Sequence, residues 1–124
     1  MKYSNVSVAY GERTILHDIS LEIQPGEFVF LIGSSGSGKT SFIRTLLGAK
    51  KIKSGRILDD AGNDISTLSP KKLLQYRRNL GIIFQDFKLL PRKTVRENVA
   101  FAMEVCGYSQ KEIHKRIPEI LAQV

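Results

Sequence analysis

The octapeptide Gly33-Ser34-Ser35-Gly36-Ser37-Gly38-Lys39-Thr40 constrains this chain more than any other stretch, because it satisfies the spacing Gly, four residues, Gly-Lys-Ser/Thr. Before it, Phe28-Val29-Phe30-Leu31-Ile32 is a continuous apolar run that predicts a central strand buried on both faces. After it, Phe42, Ile43, Leu46 and Leu47 recur at helical spacing, and Gly48 is placed to end the helix. Strand, glycine loop and helix in that order set successive backbone N–H groups and the positive helix end around one point where a polyphosphate can sit. The glycines allow close approach. The spacing predicts that Lys39 neutralises the β and γ phosphates and that the Thr40 hydroxyl ligates the Mg²⁺ bridging them. The plain alternative is a serine–glycine turn, which the strand-to-helix setting disfavours.

The remaining pattern reads as α/β. Residues 3 to 9, and the alternation of Ile19, Leu21 and Ile23 with Ser20 and Glu22, predict two antiparallel strands leading into the run at 28–32. Gly55 to Leu58 followed by Asp60-Ala61-Gly62-Asn63 predicts a short hairpin arm. Ser69-Pro70 predicts the start of a short basic helix to Arg78. Gly81-Ile82-Ile83-Phe84 predicts a second strand of a parallel sheet, with Gln85 at its carboxyl end. Thr94-Val95-Arg96-Glu97 is a capping box opening a helix that closes at Gly107, and Ser109-Gln110-Lys111-Glu112 is another. The last helix carries Ile113, Ile117, Ile120, Leu121 and Val124 on one side, with Pro118 expected to kink or divide it.

At 124 residues the chain suits one domain at most, and 42% apolar with 25% charged residues excludes collagen-like or wholly disordered classes. No run approaches the ~20 apolar residues of a membrane span, and the start lacks a secretory signal, so the chain is expected to stay in the cytoplasm. Cys106 cannot form an internal disulfide and is expected to be buried on the Val95, Val99, Met103 side of its helix. His17 and His114 read as structural or solvated. The formal charge of +7 suits an anionic partner, or a missing acidic portion. Lys50, Lys51, Lys53, Lys71, Lys72, Arg77 and Arg78 read as solvated faces, with anionic lipid the alternative. No aromatic-basic platform supports a nucleic-acid module.

Tyr10, the glycine loop and Gln85, in the setting Gly81-Ile82-Ile83-Phe84-Gln85-Asp86, resemble the first half of an ATP-binding cassette (ABC) ATPase. The resemblance implies a P-loop NTPase fold and MgATP as ligand. It implies a phosphate site from Gly33 through Ser41, Tyr10 stacked on adenine, and Lys39 and Gln85 in catalysis, Gln85 touching both Mg²⁺ and the attacking water. Within the family, Phe84-Gln85-Asp86-Phe87-Lys88-Leu89-Leu90-Pro91 and the segment Thr94 to Ala102 are similar to the cell-division, FtsE-type cassettes. Lipoprotein-releasing and macrolide-exporting cassettes are similar nearby. This likeness implies a second cassette copy and an FtsX-like integral membrane subunit as partners at the inner face of the cell membrane. Phe87, Leu89 and Leu90 lie where the family docks that subunit; local packing is the alternative reading of all three.

The family's Leu-Ser-Gly-Gly-Gln stretch, its strand ending in Asp-Glu and its switch histidine do not occur in the sequence. The resemblance therefore implies a partial cassette, its C-terminal half absent, offering one nucleotide half-site without a base for hydrolysis. Two readings of other classes stay open: a small phosphate-loop kinase, which explains neither Tyr10 nor Gln85, and a non-catalytic fragment.

Overall fold

The computed structural model describes residues 1–123, and the chain divides into two compact units, Met1–Arg77 and Arg78–Val124. In the first, β1 (Lys2–Tyr10) and β2 (Arg13–Glu22) form an antiparallel hairpin closed at Gly11-Glu12, as the alternation predicts, with Tyr10 opposite Arg13 and Lys2 opposite Glu22. β3 (Ser54–Leu58) pairs with the other edge of β1, so the sheet order is β2-β1-β3 and every pairing is antiparallel. Two bulged positions, Asn5 (φ 50°) and Asp18 (φ 46°), adopt the left-handed backbone that Asn and Asp tolerate best. A serine on the facing strand holds each. Ser20 Oγ accepts from the Asn5 N–H at 2.9 Å, and Ser7 Oγ accepts from the Asp18 N–H at 3.0 Å.

α1 (Lys39–Leu46) lays Phe42 against Tyr3, ring centroids 4.8 Å apart, and buries Thr45 beside it. Val6, Val8, Leu16, Ile57 and Ile65 complete this core. Gly48 (φ 57°) ends the helix as the sequence predicts. α2 (Pro70–Arg78) then fastens that end: Tyr76 donates to the Leu46 carbonyl at 2.8 Å, and Arg77 donates to the carbonyls of Leu47 and Gly48 at 2.7 and 3.2 Å.

Two predicted strands are not there. Residues 28–32 form no ladder, and Phe28, Phe30 and Ile32 are 82, 76 and 88% exposed. Gly81 to Phe84, in the second unit, is likewise unpaired, with Ile83 96% exposed. A central strand needs a neighbour on each side, and in the sheet β2-β1-β3 only β1 has one on both. The expected hairpin arm is also reduced: β3 turns at Asp59, whose carboxylate accepts from the Ala61 and Asn63 amides, and the return consists of one bridge, Leu58 to Asp64.

The second unit is a helix pair, α3 (Val95–Cys106) and α4 (Gln110–Leu121), packed through Met103, Ile113 and Ile117 with Val99, Ala100 and Leu121 around them. Both predicted capping boxes form, and Gly107 (φ 92°) closes α3. Pro118 does not divide α4, which runs on to Leu121; the proline removes one N–H from the ladder while its own carbonyl still accepts from Ala122 at 3.0 Å. Cys106 is exposed rather than buried, because α3 makes its buried contact one turn earlier, at Met103. Of the predicted apolar side of α4, Ile120 is 38% exposed and Val124 lies outside the described residues.

Candidate functional site

The start of α1 differs from the starts of α3 and α4. A helix begins with four backbone N–H groups that have no intrahelical partner. In α3 and α4, Thr94 with Glu97 and Ser109 with Glu112 close these ends with a hydroxyl and a carboxylate. In α1 the cap is Gly38 (φ 97°), no side chain bonds to the first-turn amides, and no acidic residue lies in the first turn. The amides and the positive end of the helix dipole are thus left for an anion. Packing as well as backbone requires glycine at 38, since a Cβ there would lie 2.7 Å from Leu16 Cδ2 and 3.0 Å from Ile15 Cγ2. At Gly36 (φ 79°) a Cβ would meet nothing within 4 Å, so conformation alone selects glycine.

The loop folds around its own cation. Lys39 Nζ donates to the carbonyls of Gly33 and Ser34, both at 2.7 Å, and the Ser37 N–H bonds to the Ser34 carbonyl at 3.2 Å. A Cβ on Gly33 would fall 2.5 Å from Ser37 Oγ. Beside the loop lies a cavity of about 510 Å³, within the ~300–1,000 Å³ range of small-molecule sites. Ser35, Gly36 and Gly38 through Ser41 line one side, and Tyr10, Arg13 and Ile15 of the hairpin line the other. The structure therefore brings Tyr10 and the glycine loop to one hollow. Ser41 Oγ donates to the Tyr10 hydroxyl at 3.5 Å; the Ser41 and Arg44 side chains hold that phenol below its usual pKa range.

Thr40 lines this cavity, as do the hydroxyl-bearing Ser35, Ser41 and Tyr10. Among the described residues no cluster of three or more His, Cys, Asp or Glu side chains forms a metal site. One protein hydroxyl suits Mg²⁺, which keeps most of its waters and takes phosphate oxygens from its ligand.

Gln85 belongs to the second unit and is exposed there. It precedes a tight turn in which Phe87 (φ 53°) and Lys88 (φ 51°) are both left-handed, and the Phe87 N–H donates to the Phe84 carbonyl at 3.1 Å. Phe87 and Leu89 are 75 and 66% exposed, so they are not used in local packing, whereas the half-buried Leu90 has its N–H tied to Asn98 Oδ1 at 2.8 Å.

Four side chains near the cavity escape a reading of the sequence alone. Arg13 was accessible in principle, since a two-residue turn after Tyr10 puts it directly opposite, and Ile15 follows on the same face two residues on. Arg44 lies one helical turn beyond Ser41, a spacing that hints at proximity. Lys50, whose Nζ lies 3.7 Å from the Tyr10 ring centroid, carries no local signal.

Several known proteins resemble this chain. A family model described as ABC transporter matches residues 16–124. The chain is 45% identical over 108 residues to the cell division ATP-binding protein FtsE of Streptococcus pneumoniae, covering 87% of this chain and 46% of that protein. It is 42% identical over 120 residues to the methionine import ATP-binding protein MetN of Clostridioides difficile, covering 97% of this chain and 37% of that one. The chain thus spans less than half the length of these relatives. A dimeric, post-hydrolysis structure of the ATP-binding cassette MJ0796 bound to ADP and Pi superposes with a TM-score of 0.82 at 32% identity, covering 98% of this chain and 55% of that one.

Proposed function

The chain belongs to the ABC transporter family, and from that premise we propose that it is an ATP-binding subunit holding MgATP in the cavity between Tyr10 and the glycine loop. One observation carries the reading: the uncapped, glycine-started end of α1 opens on a hollow whose other wall presents an aromatic ring. Phosphates meet the free amides and Lys39, the base meets Tyr10, and Thr40 offers its hydroxyl to the metal. When bound, Mg²⁺ would offset the charge of the β and γ phosphates. Lys39 needs only to leave two loop carbonyls to reach an anion. Calorimetric titration with MgATP tests this. Binding that Lys39→Ala abolishes is expected, and an unmodified protein that ignores adenine nucleotides overturns the reading.

The likeness to FtsE supports a finer proposal, that the whole protein pairs two cassettes and couples ATP binding and hydrolysis to an FtsX-like membrane subunit in cell division, with Gln85 at the metal and the attacking water. The exposed Phe87 and Leu89 support a docking surface in that region. The likeness to MetN, over 97% of the chain, favours a second reading, an importer's ATP-binding subunit. Co-purification separates them, because the first reading expects an FtsX-like subunit in the complex and the second a transport permease. The likeness to FtsE also supports a peripheral place on the inner face of the cell membrane; among the described residues no helix is long and apolar enough to cross a membrane.

A further inference from the structure

Tyr10 stands at the end of β1 with 42% of its surface exposed, and the buried core of the first unit does not include it. A ring so placed is free to change rotamer unless something holds it. Side-chain contacts hold it, those of Ser41 and Lys50 among them. Ser41 Oγ meets its hydroxyl at 3.5 Å, and Lys50 Nζ lies 3.7 Å from its centroid, inside the ~6 Å reach of a cation–π contact.

Lys50 is itself fixed. It is half-buried, and its N–H donates to the Arg44 carbonyl at 3.1 Å, so it leaves from the C-terminal end of the helix whose first turn carries Lys39 and Thr40. Tyr10 lines the cavity and Lys50 does not. Lys50 thus touches the ring without lining the hollow, which is left to a ligand.

We infer that Lys50 is a positioning residue of the nucleotide site, its ammonium backing the Tyr10 ring so that the opposite face receives a planar base. The assignment rests on the nucleotide reading above. It makes α1 serve the ligand from both ends: its first turn takes the phosphates, and the chain leaving its last turn steadies the aromatic platform.

Titrations of the purified protein with MgATP and with inorganic tripolyphosphate test it. An exposed cation–π contact corresponds to about a two- to fivefold change in affinity. Lys50→Met, which keeps the aliphatic stem, is expected to weaken MgATP by that factor, leave tripolyphosphate within error, and have no further effect on a Tyr10→Ala background; Lys50→Arg is expected to bind as the unmodified protein does. Equal weakening of MgATP and tripolyphosphate would reduce Lys50 to a distant charge and overturn the inference. Tighter MgATP binding by Lys50→Met would overturn it too, by showing that the ammonium competes with the base. If the unmodified protein binds no nucleotide, the functional reading falls and takes this assignment with it; if it binds MgATP and Lys50→Met changes nothing, this assignment alone falls.

Discussion

The hydroxyls of Tyr3 and Thr45 lie 3.1 Å apart in a buried contact that joins the central strand β1 to α1. Thr45 Oγ1 also donates to the Phe42 carbonyl at 2.6 Å, so the Tyr3 hydroxyl is the donor in the pair. Thr45→Val keeps the shape and leaves that donor buried without an acceptor. A loss of about 1–3 kcal/mol is expected in urea unfolding, and Tyr3→Phe on the same background should recover part of it, because the orphaned group is then gone.

Burial also pushes the Tyr3 phenol up to about 12. In the unfolded chain tyrosine ionises near pH 10. Below pH 10 both states keep the proton and the contribution to stability is complete. Above it the unfolded state ionises first, and stability falls until the folded phenol titrates near 12. Melting followed across this window should show that decline, and Tyr3→Phe should flatten part of it; Tyr76, also raised to about 12 chiefly by burial, supplies the remainder.

The loop glycines should respond unequally to one methyl group. Gly36→Ala meets open space and bears the cost of its positive φ, about 1–2 kcal/mol. Gly38→Ala adds close contacts with Leu16 Cδ2 at 2.7 Å and Ile15 Cγ2 at 3.0 Å, so these β2 side chains must shift as well. Melting temperature and nucleotide affinity measured side by side should therefore fall further for Gly38→Ala, and equal losses would contradict the packing described.

Capping of α3 predicts an acid dependence. The Thr94 backbone and hydroxyl, followed by Lys93, hold the Glu97 carboxyl at about 2. A depressed carboxyl stabilises fully above its unfolded pKa, near 4.5, and that contribution is lost as pH falls through about 2. Helicity followed by circular dichroism should fall in this range, and Glu97→Gln should blunt the change. Thr94→Ala removes the other half of the box and is expected to cost about 1 kcal/mol at neutral pH.

These cases show which features a sequence states outright. The boxes at Thr94 and Ser109 and the stop at Gly48 are local, because every group each one needs lies within a few residues, and all three form as read. The runs at 28–32 and 81–84 are different. An unbroken apolar stretch reports a tendency to be covered, but a ladder also needs a neighbouring strand, which the run itself does not encode. Cys106 lies one turn past the last buried contact of α3 at Met103, where the helical stripe no longer has anything to pack on. The Lys50 contact with Tyr10 spans forty residues and rests on tertiary structure alone.

Residues 28–32 present five consecutive apolar side chains to solvent directly ahead of the glycine loop. Such an edge is adhesive: any unsatisfied strand or oily surface it meets is a substitute neighbour. Preparations of this polypeptide should therefore clump as concentration or sulfate rises, and a single lysine in place of Phe30, the ring at the middle of the patch, should keep it dispersed.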